Sequence, residues 1–238
     1  MSIQNLYDES VNRSYGQYCA LAKTLDLVGE RWTLLIVREL GAGPKRYTDV
    51  LDGLPGMNTT LLAKRLRDLE DGGLVRRRRL PPPAASNVYE LTNTGAELCR
   101  ALLPLVQWGA RHALGARNKD EVFHVEWPLL AMQSSIDTAR LVGVEATYEF
   151  RIDESIGYMS IEDGRISVGS GPALTVPDVT VTADVEAFVG VGTGRLDAQT
   201  MIAEERLSLE GDPQAIATLS TALGVQGGRR SVRKQRRR

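Results

Sequence analysis

At Gly72-Gly73 the chain changes its hydrophobic period, and no other feature limits its fold so tightly. Before the glycines, Leu62, Leu66 and Leu69 recur at helical spacing within residues 59–71, with Leu61 flanking them. After them, Leu74-Val-Arg-Arg-Arg-Arg-Leu80 suits a strand, and so does Asn87-Val-Tyr-Glu-Leu91. Between these strands Pro81-Pro-Pro-Ala-Ala-Ser86 excludes regular structure, because each proline removes a backbone donor and fixes φ. A helix closed by glycines and followed by a hairpin with a wide tip leaves few architectures open.

The neighbouring segments narrow the choice. Leu21, Leu25 and Val28 fall at i, i+4 and i+7, and Gly29 permits a stop. Trp32, Leu35, Ile36 and Leu40 continue with helical spacing as far as Gly41-Ala-Gly-Pro44. A short helix follows, with Thr48 as its expected N-cap and Val50, Leu51 and Leu54 inside. Pro55-Gly56 marks a turn, and Asn58 caps the helix over residues 59–71. After the hairpin, Thr92 to about Leu114 is helical again, with Leu98, Leu102, Leu105, Val106 and Trp108 on or near one face. Helices, a two-stranded wing and a long closing helix are in winged-helix order.

On the helix over residues 59–71, the face opposite the leucines carries Thr60, Lys64 and Arg67 at i, i+4 and i+7. Two cations and a hydroxyl along one stripe suit a helix lying in a major groove. There Arg or Lys donates to guanine, and Thr meets a base edge or a thymine methyl. Asn58 and Thr59 sit at the helix start, whose free N–H groups favour phosphate. A solvated charged face is the plain alternative, and the position just before a wing favours the groove. Arg76, Arg77, Arg78 and Arg79 put guanidinium on both faces of a strand, which suits phosphates or a minor groove. An edge strand that uses charge against aggregation is the alternative there. Arg46, Thr48, Arg65 and Asn87 complete the residues expected to face DNA.

Several of these stretches share a pattern. They are Tyr18-Cys19, Leu25-Asp-Leu-Val-Gly29-Glu-Arg-Trp32 and its continuation to Leu40, Arg46-Tyr-Thr-Asp49, Leu54-Pro-Gly-Met-Asn58, the run from Leu61 to Val75, and Val88-Tyr-Glu-Leu-Thr92. Together they resemble the HxlR family of bacterial winged-helix regulators, over roughly residues 18–110. The resemblance implies that the helix beginning at Asn58 is the recognition helix and residues 74–91 the wing. It implies a homodimer on near-palindromic double-stranded DNA, with the flanking helices as the dimer interface. The Pro81-Pro-Pro tip followed by Ala-Ala departs from the family in being less polar. Cys19 occupies the N-terminal cysteine position that some relatives use for thiol-based sensing, with Lys23 one turn on as a helper. A small apolar residue at a helix start is the alternative reading of Cys19, and Cys99 reads as core.

The second half differs in kind. Ala146-Thr-Tyr-Glu-Phe-Arg-Ile152 alternates as a strand, and Gly157-Tyr-Met-Ser-Ile161 and Arg165-Ile-Ser-Val168 flank a Glu162-Asp-Gly164 hairpin turn. Val179-Thr-Val-Thr182 and Leu207-Ser-Leu-Glu210 add two strands. Residues 184–191 and 197–205 read as helices, and Asp212-Pro213 opens another over residues 214–223. Residues 123–145 give no clear pattern. These strands, with Pro177-Asp-Val179, Leu196-Asp-Ala-Gln-Thr-Met201 and Leu207-Ser-Leu-Glu-Gly-Asp-Pro213, resemble a sterol carrier protein type fold. In that family a sheet covered by helices encloses an apolar cavity. The resemblance implies a hydrophobic small molecule as partner, with Phe188, Met201 and Ile202 as candidate lining; ordinary core is the alternative for all three.

The expected fold class is α+β, an N-terminal winged helix-turn-helix domain followed by an α+β sterol-carrier-like domain. The expected division is an arm at 1–17, the winged-helix domain at 18–116, the second domain at 119–226 and a basic tail at 227–238. Charge follows it: residues 1–118 carry a net +4, residues 119–228 a net −12 and residues 229–238 a net +7. A polyanion can approach the first block and is repelled by the second. The tail is too like-charged to fold alone, and either nucleic acid or the acidic domain suits it.

Two cysteines in 238 residues make no disulfide framework. The N-terminal residues lack the basic and apolar regions of a signal peptide, and no apolar run approaches the ~20 residues that span a bilayer. A cytoplasmic, nucleoid-associated protein with no membrane partner is expected. His112 and His124 lack metal-ligand spacing, Gly190-Val-Gly-Thr-Gly194 is not the dinucleotide pattern, and no Ser/His/Asp set emerges. No catalytic residue, metal or cofactor is expected. The expected function is a dimeric DNA-binding transcriptional regulator with a hydrophobic effector in its second domain. The alternatives are a lipid or small-molecule binder whose first domain dimerises, and a redox regulator acting through Cys19.

Overall fold

A computed structural model describes residues 14–82, 85–118, 120–136 and 138–222. Most of the N-terminal arm, Pro83 and Ala84 of the wing tip, and the basic tail lie outside the described residues. The chain divides into two compact units, Met1–Gly109 and Ala110–Arg238.

The first unit runs α1 (Ala20–Val28), α2 (Thr33–Gly41), α3 (Tyr47–Asp52), α4 (Thr59–Asp71), β1 (Val75–Arg79), β2 (Asn87–Leu91) and α5 (Asn93–Ala101), with α6 (Leu103–His112) crossing the division. Its core gathers Ile36, Val37 and Leu40 of α2, Val50 of α3, Leu62, Leu66 and Leu69 of α4, and Leu74 and Val75. Each such aliphatic side chain contributes about 1.5–3 kcal/mol by leaving water. β1 and β2 pair antiparallel, with Arg76 opposite Glu90 and Arg77 opposite Tyr89. Lys45 exchanges two backbone hydrogen bonds with Tyr89, at 3.0 and 2.8 Å, and so adds a bridge to the outer edge of the hairpin.

Three local readings change. Thr48 is not an N-cap: α3 begins at Tyr47, Arg46 holds the cap position, and Asp49 accepts the Arg46 N–H at 3.1 Å. The long helix expected from Thr92 breaks at Leu102, because Pro104 has no N–H to offer and its ring clashes with the carbonyl four residues back. Trp32 precedes α2 in the left-handed region at φ 78°, a conformation that a bulky residue keeps only where its surroundings impose it, and its indole packs against the core. A fourth observation concerns the outer helices. Val28 of α1 is buried, but Leu21 is 66% exposed, and on α6 Leu105 and Trp108 are 56% and 54% exposed. Leu21 and Leu105 do not enter the core of this unit.

The second unit opens with α7 (Glu126–Ser135) and a 3-10 turn over Thr138–Leu141. Then follow β3 (Glu145–Ile152), β4 (Ser155–Glu162), β5 (Arg165–Ser170), β6 (Val179–Ala183), α8 (Val185–Gly192), α9 (Ala198–Ala203), β7 (Leu207–Gly211) and α10 (Pro213–Ala222). The sheet order is β5-β4-β3-β6-β7; β3 and β6 are parallel and the other pairs antiparallel. The Asp163-Gly164 turn has φ of 46° and 76°, the double positive pair that a tight hairpin requires. Alternation places Ala146, Tyr148, Phe150 and Ile152 of β3 on one face, where they join Leu129 of α7, Phe188 of α8, Met201 of α9 and Leu219 of α10. The 123–145 segment gave no periodic signal because apolar residues of α7 do not form a single stripe: Trp127, Leu129, Leu130 and Met132 spread around it. Tyr148 donates its hydroxyl to the Ala215 carbonyl at 3.1 Å; burial, then Asp178 and Asp212, push the phenol up to about 12. Among the described residues no helix is long and apolar enough to cross a membrane.

Asp184 ties this unit's end together. Its carboxylate accepts the Ala187 N–H at 2.7 Å as the cap of α8, and Arg206 donates Nε and Nη2 to it at 2.8 and 2.9 Å. The Arg206 bonds outweigh partial burial and hold the carboxyl below the ordinary aspartate range. The unfolded chain therefore takes up this proton at higher pH than the folded one. The stabilisation is complete above the ordinary aspartate pKa of about 3.9 and is lost as pH falls through the depressed folded value. Urea midpoints measured from about pH 5 down to about pH 3 are expected to fall more steeply for the wild type than for Asp184→Asn, which keeps the cap but not the charge.

Candidate nucleic-acid interface

α4 is fixed at its start by two contacts. Asn58 Oδ1 accepts the Leu61 N–H at 2.8 Å, and the Tyr47 hydroxyl of α3 donates to the Thr59 carbonyl at 2.6 Å. With Leu62, Leu66 and Leu69 buried, the opposite face carries Thr60 and Arg67, both exposed, and Lys64, half-buried. Arg67 donates Nε to the Ala63 carbonyl at 3.3 Å, so its stem lies along its own helix. Asn58 and Thr59 are exposed at the helix N-terminus, Arg46 and Thr48 at the start of α3, and Asn87 at the start of β2 opposite Arg79.

Arg65 leaves this set. It is buried, donating Nη2 to Glu30 at 2.6 Å and Nη1 to Asp68 at 3.0 Å. The physical reason is helical spacing: position 65 is three residues after Leu62 and sits on the leucine face. Arg65 therefore ties α4 to the turn between α1 and α2 rather than facing DNA. Arg65→Ala is expected to lower unfolding free energy by about 1–2 kcal/mol, near the low end for bonds to charged groups because water can take over both carboxylates. Urea titration checks it.

The arginine strand splits by face. Arg76 and Arg78 donate Nε to the two oxygens of Glu90, at 2.7 and 2.9 Å. Burial alone would raise the Glu90 carboxyl, but the two arginines outweigh it and hold it below the ordinary carboxylate range. Arg77 and Arg79 lie on the other face, exposed. Sequence reasoning missed the acidic partners Glu30, Asp68 and Glu90. It also missed Glu39, fully buried on α2 and accepting Arg38 Nη2 and Lys45 Nζ at 2.7 Å each. Only the cross-strand register, once known, would have pointed to Glu90.

The remaining candidates fall as follows. Phe188 is buried against Phe150, ring centroids 5.7 Å apart, and Met201 is buried in the same core, while Ile202 is 40% exposed. The second unit carries a concavity of about 520 Å³ whose lining includes Arg151, Asp153, Asp184 and Arg206 and none of those three. Cys19 is exposed at the start of α1, and the Lys23 ammonium pairs with Asp26 at 3.7 Å. Cys99 is half-buried, and burial pushes its thiol up against the opposing pull of Arg100.

Residues 27–116 match the family described as HxlR-like helix-turn-helix, and residues 129–224 match the SCP-2 sterol transfer family. An uncharacterised HTH-type transcriptional regulator of Synechocystis is 36% identical over 101 residues, which are 42% of this chain and 70% of that one. The HTH-type transcriptional regulator YodB of Bacillus subtilis is 32% identical over 88 residues, covering 37% of this chain and 79% of that one. The solved reduced form of YodB aligns over 42% of this chain and 100% of its own, at 28% identity and a TM-score of 0.37. The chain belongs to the HxlR-like helix-turn-helix family of transcriptional regulators, and residues 129–224 that follow its winged-helix unit match the SCP-2 sterol transfer family.

Proposed function

We propose that this protein is a dimeric transcriptional regulator that lays α4 in the major groove of a near-palindromic operator, places the β1–β2 wing on the flanking backbone, and responds to a hydrophobic small molecule through its second domain. The observation that carries the reading is the stripe of Thr60, Lys64 and Arg67, with buried leucines behind it and an arginine-bearing hairpin beside it. Two such helices in a dimer would meet half-sites about 34–36 Å apart. Support for the dimer comes from the exposed apolar side chains of α1 and α6, Leu21, Leu105 and Val106 among them. Support for the effector is the SCP-2 match; Phe188 and Met201 lie inside the apolar core of that unit.

The test is selection of bound fragments from sheared genomic DNA by the full-length protein, followed by mobility shift on the enriched sequence. Enrichment of a site with two-fold symmetry is expected, and failure to enrich any sequence over scrambled DNA would overturn the reading. Ligand binding without any DNA footprint would favour a small-molecule binder whose first domain only dimerises. Sedimentation of the wild type is expected to give a dimer, and of the Leu21→Asp, Leu105→Asp double variant a monomer; a wild-type monomer would refute the dimer. The thiol reading rests on the exposure of Cys19, and DNA release by diamide that survives Cys19→Ser would end it.

A further inference from the structure

The four wing arginines are not equivalent. Glu90 is buried, and its carboxylate receives one arginine on each oxygen. Arg76 donates Nε to Oε1 at 2.7 Å and places Nη2 2.7 Å from the same oxygen, and Arg78 donates Nε to Oε2 at 2.9 Å. The register explains the pattern: Arg76 stands directly opposite Glu90, and Arg78 is its diagonal neighbour on the same face. The side chains of Arg76 and Arg78 remain 65% and 44% exposed, so their outer N–H groups still reach water. Arg77 and Arg79 lie on the other face and engage no carboxylate among the described residues. One of the four positive charges on this strand is thus cancelled, and the cancellation is confined to one face. A surface selected only to grip a polyanion gains nothing from a carboxylate set beneath two of its cations.

Building on the DNA-binding reading above, we infer that Glu90 is a specificity-determining residue of the wing: it holds Arg76 and Arg78 by their inner edges and weakens the wing's sequence-independent hold on phosphate, leaving that hold to Arg77 and Arg79. Discrimination between sites is a ratio of affinities. A charge that lowers binding to every duplex alike, while fixing where two guanidiniums point, raises the share of the total that depends on sequence.

The experiment measures binding of the full-length protein to a random-sequence duplex and to the enriched site across roughly 50–200 mM salt. Each phosphate neutralised adds about −0.9 to the slope of log K against log salt. Glu90→Gln is expected to bind the random duplex more tightly, to steepen that slope by about 0.9, and to lower the ratio of specific to random affinity. Arg77→Gln is expected to flatten the slope by about 0.9, and the charge-neutral pair Arg76→Gln with Glu90→Gln to flatten it by less than half as much. An unmoved slope or weaker binding in a Glu90→Gln protein with wild-type thermal stability overturns the inference. So does a paired variant that flattens the slope as much as Arg77→Gln, a comparison that stands even if Glu90→Gln alone fails to fold. A wild type that binds no duplex fails the DNA-binding reading and this inference with it. A wild type that binds beside an unmoved Glu90→Gln fails this inference alone.

Discussion

Replacing Lys64 and Arg67 together by alanine is expected to weaken binding to the enriched DNA site by about 2–4 kcal/mol, roughly 30- to 1,000-fold in Kd. Both side chains lie on the face of α4 opposite Leu62, Leu66 and Leu69, so neither substitution opens a cavity in the core. Arg67 gives up one 3.3 Å contact to a carbonyl of its own helix and has no other partner among the described residues. Thermal stability is therefore expected to stay within the small range of surface substitutions, about 0.5 kcal/mol. Affinity for random duplex is expected to fall less than affinity for the specific site, because base contacts carry discrimination and phosphate contacts do not. Mobility shift on both duplexes measures this. Equal losses on the two would mean that α4 meets only the backbone, and no loss would remove it from the interface.

The second large effect belongs to a residue with no side chain. Gly95 lies in the first turn of α5, and a Cβ built on it would stand 2.0 Å from the Leu74 carbonyl oxygen, far inside contact distance. That carbonyl is held in place by its own partner, the Thr92 N–H at 3.0 Å, and the Thr92 hydroxyl donates to the Gly73 carbonyl at 2.7 Å while accepting the Gly95 N–H at 3.1 Å. The start of α5 is thus bonded to the segment between α4 and β1, with no slack for a methyl group. Gly95→Ala is expected to cost about 3 kcal/mol, at the upper end of overpacking, and to lower the melting temperature by on the order of 10–20 °C. Helix propensity would argue the opposite, since alanine is favoured over glycine inside a helix by about 1 kcal/mol. The sign of the measured change in a calorimetric scan therefore decides between local preference and tertiary contact. A stabilised variant would show that α5 can withdraw from the Leu74 carbonyl at no cost.

Both expectations mark how far a reading of the chain alone reaches. α4, its N-cap at Asn58, its closing glycines and the two strands of the wing all follow from local physics. Helical and strand periods are set by backbone geometry, and caps and proline breaks act within a few residues. The stripe of Thr60, Lys64 and Arg67 was legible for the same reason. The strands of the second unit were legible through alternation and the Asp163-Gly164 turn, whereas α7 was not, because its apolar residues are spread around the helix and leave no period to detect.

The amino-acid sequence by itself determined the order of elements from α1 through the wing, the winged-helix arrangement and the presence of a basic surface. Tertiary structure alone decided which cations remain available for a partner. Arg65 is taken by Glu30, 35 residues away in the chain, and Arg76 shares Glu90, 14 residues away, with Arg78. It likewise decided that Leu21 and Leu105 stay outside the core of the first unit. The reason is the same in each case. A period along the chain is a property of neighbours in sequence, while an ion pair or a buried face depends on which distant segments meet in space.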